Sequence, residues 1–180
     1  MQYIALLRGI NVGGQRMVKM SLLKAAFEAA GFNHVKTYIN SGNVLFETPE
    51  TKLAALVAIC DRLMTTTFGF SVRIAIVTAQ ALITAVAQAP NWWGTDPNSK
   101  HNLIVAIAPQ TGQSLSEQVG PSKPEYEQVA ICGQFIFWSA PIKTYGRTRW
   151  ATVTKSEAYQ WLTIRNANTA RKLARLAQSA

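Results

Sequence analysis

The stretch Arg8-Gly9-Ile10-Asn11-Val12-Gly13-Gly14-Gln15-Arg16 carries the residue types best suited to chemistry, with Lys19 close behind. Glycine tolerates positive φ, so it lets backbone N–H groups turn toward a ligand, and a strand-to-helix corner adds the positive end of a helix dipole. Such a loop suits phosphate or carboxylate oxygens. The spacing from Gly9 to Gly14 is also the G-x-x-x-x-G that opens a nucleoside-triphosphate loop. Gln15 and Arg16, however, stand where that motif needs a lysine and then a serine or threonine. Without the lysine for phosphate and the hydroxyl for magnesium, that route to ATP hydrolysis is closed, and no G-x-G-x-x-G is present. What remains is an anion nest flanked by Arg8, Arg16 and Lys19.

Two more polar clusters follow, Asn40-Ser41-Gly42-Asn43 and Arg165-Asn166-Ala167-Asn168-Thr169. The first has the composition of a tight turn, and in the second Asn166 or Asn168 can cap a helix. Each can equally present amide, hydroxyl or guanidinium groups to an anion. The expected site gathers all three corners. In it the amides of Gly9, Gly13 and Gly14 receive phosphate oxygens, Arg8 and Arg165 supply charge, and Asn11, Asn43 and Asn168 orient the ligand. Lys19, Ser41, Gly42, Asn166 and Thr169 complete the surface.

Other chemistry lacks parts. His34 and His101 are isolated and read as surface or packing residues, and Cys60 and Cys132 share no metal-ligand spacing, so no metal is expected and no cofactor is named. Glu125 and Glu127 read as a solvated strand edge. No Ser-His-Asp set has a local signature, although such sets assemble across a fold and spacing does not exclude them. Trp138 and one of Trp92 and Trp93 are expected in a core or domain interface; Trp150, within a basic stretch, is the ligand-facing candidate. Tyr3 stands alone on the first strand, which disfavours RNA stacking on a sheet face.

The net charge is +9 and the hydrophobic content 48%, enough for a packed core. The basic surplus lies at the two ends: residues 1–27 contain no acid, and residues 141–180 have Glu157 alone against many lysines and arginines. If the fold joins them, they form a surface for phosphate groups or nucleic acid. No apolar run is long enough for a membrane span and no signal-like block opens the chain, so a cytoplasmic protein without a membrane partner is expected. Oligomeric state is not legible.

Periodicity supplies the scaffold. Strand 2–8, helix 20–30 ended by Gly31, strands 35–39 and 44–47, helix 51–67 and strand 72–77 run in the order βαββαβ of a ferredoxin-like fold. Then come a helix over 78–88 capped by Thr78, a strand over 103–108, a helix over 114–119 and a hairpin of 126–131 with 134–138 about Cys132-Gly133. A basic loop over 139–153 leads to helices over 154–162 and 168–177. The fold class is α+β, two ferredoxin-like halves (1–78 and 79–180) packed together, the second less regular and ending in helices.

Three motifs in order, Arg8-Gly9-Ile10-Asn11-Val12-Gly13-Gly14, Thr37-Tyr38-Ile39-Asn40-Ser41-Gly42-Asn43-Val44 and Arg165-Asn166-Ala167-Asn168-Thr169, make the whole chain resemble domain-of-unknown-function family 1697. The resemblance implies two tandem ferredoxin-like halves and no assigned activity. Where that family often has a Ser-Lys pair before the C-terminal helices, this chain has Gly146-Arg147-Thr148-Arg149. The function expected is binding of an anionic ligand, a nucleotide or nucleic acid. The alternatives are an enzyme acting on a small phosphorylated or carboxylated metabolite, which needs a pocket with a titratable group, and an interaction protein whose motifs are architectural.

Overall fold

The structure is a computed structural model that describes residues 1–179. It divides into two compact units, one of Met1–Leu82 together with the chain's end from Ala177, the other Ile83–Leu176.

In the first unit β1 (Gln2–Leu7), α1 (Met20–Ala29), β2 (Asn33–Tyr38), β3 (Asn43–Glu47), α2 (Leu53–Phe68) and β4 (Ile74–Thr78) follow one another. The sheet is antiparallel with order β2-β3-β1-β4, so the outer strands β2 and β4 flank a central pair, as the βαββαβ reading requires. One face packs Tyr3, Ala5, Leu7, Val44 and Phe46 against Leu23 and Phe27 of α1 and Leu56, Cys60 and Met64 of α2. Burying large apolar side chains of this kind contributes about 1.5–3 kcal/mol each, which is what holds helices to the sheet. Gly31 (φ +89) follows α1 and Gly69 (φ +76) caps α2, the left-handed stops that glycine favours. Every residue from Tyr3 to Leu7 and from Asn43 to Phe46 is buried, so neither strand offers a free face for bases.

In the second unit the order is α3 (Ala79–Ala87, its first residues in the preceding unit), β5 (Ser99–Ala106), α4 (Gly112–Val119), β6 (Gln128–Cys132), β7 (Phe135–Pro141), three 3-10 segments (Ile142–Arg147, Trp150–Lys155, Glu157–Trp161), β8 (Leu162–Asn166) and α5 (Ala167–Gln178). Thr78 Oγ1 accepts the Ala81 amide at 3.1 Å, the expected cap of α3. The sheet order β6-β7-β5-β8 repeats the pattern of the first sheet.

The second unit departs from the sequence reading in several places. The helix expected over 154–162 is instead 3-10 in character up to Trp161, and Leu162–Asn166, given no element by the sequence beyond Leu162, are a strand: Leu162, Thr163, Ile164 and Arg165 pair with β5 from Ala106 to Leu103, closing the sheet. The stretch 139–153 is not an open loop, because β7 runs to Pro141 and two 3-10 segments follow. Trp150 is buried at 1% exposure in the core with Trp138, Leu115 and Val153, which removes it as a ligand-facing residue. Trp93 and Trp138 are buried as expected. Glu127 is also not at a solvated edge. It is 4% exposed, and its carboxylate accepts the amides of Lys123 (3.0 Å), Arg149 (2.9 Å) and Trp150 (3.2 Å), clamping the 3-10 segments. A carboxylate in such a position satisfies three donors that lack helix or strand partners.

Candidate functional site

Arg8 follows β1, and its amide donates to Arg73 O at 3.0 Å. The chain then makes a small projecting turn. Asn11 N donates to Arg16 O at 3.2 Å and Gln15 N to Val12 O at 3.1 Å, with Gly13 and Gly14 (φ +59 and +75) at the tip. Gly9, Asn11 and Arg16 are also left-handed, at φ +66, +54 and +48. Gly13 and Gly14, two consecutive residues at positive φ closed by the Gln15–Val12 bond, make the tight two-residue turn of a small hairpin. The amides of Gly13 and Gly14 have no hydrogen-bond partner among the described residues. Val12 and Met17, flanking the tip, are both 67% exposed, so the turn stands in solvent. Arg16 folds back, its Nη1 3.9 Å from where a Cβ on Gly9 would lie. Lys19 stands at the N-cap of α1, which has neither a side-chain cap nor an acid in its first turn.

Asn11 holds this turn in place. Its Nδ2 donates to Val18 O (3.0 Å) and Asn40 O (2.8 Å), and its Oδ1 accepts the Val18 amide (2.7 Å). The first two motifs therefore meet. Gly42 sits so close beneath them that a Cβ there would lie 2.7 Å from Ile10 Cδ1 and 2.8 Å from Leu7 Cβ. Asn43 is fully buried, its Nδ2 donating to Tyr38 O (2.8 Å) and Ser41 Oγ (3.0 Å). Ile39, a β-branched residue at φ +48, carries strain at this corner. Asn11 and Asn43 thus use their carboxamides within the chain, and the groups left facing solvent are the Gly13 and Gly14 amides and the exposed Arg16 and Lys19 side chains.

The third motif belongs to the other unit. Arg165 is 8% exposed on β8, donating to Thr163 Oγ1 (2.8 Å) and Ile164 O (2.9 Å), and desolvation lowers its pKa to about 10. Asn166 caps α5 by accepting the Thr169 amide (2.8 Å). Asn166, Ala167 and Asn168 line a cavity of about 430 Å³ with Gly94, Asp96, Ser99 and His101. The sequence offers His101 only as an isolated surface or packing residue and does not single out Asp96; the structure brings them together there, His101 Nε2 lying 2.7 Å from the Asp96 main-chain oxygen. Their signal was absent because the partner of His101 on the sheet, Ser139, lies on a different strand. Among the described residues no group of three or more His, Cys, Asp or Glu could hold a metal.

The family model described as a protein of unknown function (DUF1697) matches residues 1–137. The chain belongs to the DUF1697 family. Among solved structures it is similar to the conserved bacterial protein SP0830 from Streptococcus pneumoniae, at 26% identity and a TM-score of 0.85 over 98% of each chain. No curated protein matches. The likeness to SP0830 covers both ferredoxin-like halves, whereas the DUF1697 match stops short of the Arg165–Thr169 motif. No helix among the described residues is long and apolar enough to cross a membrane.

Proposed function

We propose that this DUF1697 member binds the phosphate backbone of a nucleic-acid strand on the β1–α1 turn. The observation that carries the reading is the exposed Gly13-Gly14 tip, whose two amides lack a partner among the described residues. Arg16 and Lys19 flank it, in a segment with no acid before Glu28. Oriented amides beside guanidinium and ammonium groups attract phosphate. The turn projects into solvent between exposed Val12 and Met17, whereas a small metabolite wants a concave site that buries most of its surface. An extended polyanion needs only a positive ridge. In this reading Gly9, Gly13 and Gly14 supply amides, Arg8, Arg16 and Lys19 supply charge, and Asn11, Ser41, Gly42 and Asn43 hold the turn in shape.

The test is fluorescence anisotropy of short labelled single-stranded RNA and DNA across a salt series, for the wild type and the Arg16→Ala, Lys19→Ala double variant. Log affinity should fall linearly with log salt, and the double variant should reduce that slope by about 0.7 for each phosphate it no longer neutralises. Absence of saturable binding at about 50 mM salt, where such attraction is strongest, would discard the reading.

A further inference from the structure

His101 on β5 and Ser139 on β7 are directly opposed in the antiparallel register. His101 Nδ1 and Ser139 Oγ are 2.6 Å apart, and His101 Nε2 is 2.7 Å from the main-chain oxygen of Asp96. The second contact fixes the proton. A carbonyl oxygen only accepts, so Nε2 carries a hydrogen; in the neutral ring Nδ1 then keeps its lone pair, and the Ser139 hydroxyl donates to it. That is the protonation a nucleophile and its base require, with a third group orienting the base.

The surroundings distinguish this pair from a cross-strand stitch. His101 lines the cavity of about 430 Å³. Ser139 lines an adjoining one of about 240 Å³, with Glu125, Tyr126 and Gln128. Asp96 and Ser99 line both. A purely structural bond needs open space on neither side, and the larger volume is in the range that holds small ligands. The Asp96 carboxyl is kept below its usual pKa by the Ser99 hydroxyl and then by the Asn98 amide. Its side chain is held by Ser99 Oγ (2.6 Å) and the Asn98 amide (2.9 Å), which fixes the segment whose main-chain oxygen orients the His101 ring.

We propose that Ser139 and His101 are the nucleophile and general base of an acyl-transfer site for a small carboxylic ester, with Asp96 as the positioning residue. The ester carbonyl meets Ser139 in the smaller cavity and the rest of the molecule occupies the larger one. The Oγ–H proton passes to His101 Nδ1 as the Oγ–C bond forms. The tetrahedral intermediate then breaks its C–O bond to the alcohol, which departs with that proton. Water repeats the sequence against the acyl-serine, His101 taking its proton and returning it to Ser139 Oγ, and the carboxylic acid leaves. No oxidant or metal enters the balance, and water is the one co-reactant. This site is independent of the β1–α1 turn and lies wholly in the second unit.

The experiment treats the whole protein with a fluorophosphonate probe, followed by intact mass and peptide mapping. A single adduct on Ser139 is expected. Ser139→Ala should abolish it and His101→Gln should slow it at least about 100-fold, the usual contribution of a general base. Circular dichroism of each variant reports that the fold is kept. The wild type alone is decisive should a variant fail to fold: no adduct, or an adduct only on other serines, overturns the proposal. Labelling of a folded His101→Gln protein at the wild-type rate also overturns it, because the serine would then be reacting without its base.

Discussion

Asn11→Ala removes the groups that pin the β1–α1 turn, and the structure sets the size of the effect. The carboxamide makes three hydrogen bonds of 2.7–3.0 Å, to the Val18 amide and carbonyl and to Asn40 O. Val18 is 4% exposed, so its main-chain groups have little access to water as a replacement. At about 0.5–1.5 kcal/mol net per bond the loss is roughly 1.5–4.5 kcal/mol. The left-handed backbone, φ +54 at Asn11, adds about 1 kcal/mol for alanine, since asparagine tolerates that region better than residues with an inert Cβ. Together they put the cost near 4 kcal/mol, a fall in Tm on the order of 10 °C for a chain of this size. Chemical denaturation followed by far-UV circular dichroism measures it. Asn11→Gly separates the two parts, because glycine loses the same hydrogen bonds without the strain and should lie about 1 kcal/mol above Asn11→Ala. A loss below about 1 kcal/mol in Asn11→Ala would refute the claim that this side chain holds the turn.

Gly42→Ala places a Cβ 2.7 Å from Ile10 Cδ1 and 2.8 Å from Leu7 Cβ at φ +76, so overpacking and backbone strain should cost about 2–4 kcal/mol, read from the denaturation midpoint. Glu127→Gln weakens the carboxylate clamp on the amides of Lys123, Arg149 and Trp150; a loss of about 1–3 kcal/mol is expected, with near-ultraviolet dichroism of Trp150 changing alongside it. Burial raises the Cys60 thiol from 9.0 to about 12. Because the folded value lies above the unfolded one, its contribution is intact below pH 9 and is lost as pH rises from there toward 12, a trend that Cys60→Ala should flatten in urea melts. At pH 8 an aromatic disulfide reagent should titrate half-buried Cys132 in the native protein and reach Cys60 only after unfolding.

The first half was legible because its signals are local. Leu23, Phe27, Leu56, Cys60 and Met64 recur at helical spacing, and the β2–β3 turn announces itself in Asn40-Ser41-Gly42-Asn43. In the second half β8 escaped notice: Leu162-Thr163-Ile164-Arg165-Asn166 spans only five residues, and its identity as a strand comes from pairing with β5, some sixty positions earlier. Hydrophobic alternation that short does not outweigh the helix formers on either side. The same limit hid His101 and Ser139, which are 38 positions apart and meet only because β5 and β7 are paired in register. Glu127 was misread for a related reason. Its partners at Arg149 and Trp150 are supplied by a segment whose 3-10 geometry has no strong sequence period.

The two halves share a sheet order but treat the equivalent strand-to-helix connection in opposite ways. After β5 the link is short and α4 is capped, Thr111 Oγ1 accepting the Ser114 amide at 3.1 Å while Ser114 Oγ accepts the Thr111 amide at 2.9 Å. Those helix donors are satisfied internally and have nothing left for a ligand. After β1 the link is long and glycine-built, and α1 begins at Met20 with no side-chain cap. A helix start left uncapped forgoes about 1 kcal/mol, and a loop with several left-handed residues forgoes more. Asn11 recovers part of that cost through its three bonds, but at the base of the turn and not at its tip. The tip amides of Gly13 and Gly14 are thus the part of this connection that folding does not account for, which is why the proposed phosphate binding is placed on the β1–α1 turn and not on its counterpart at Thr111.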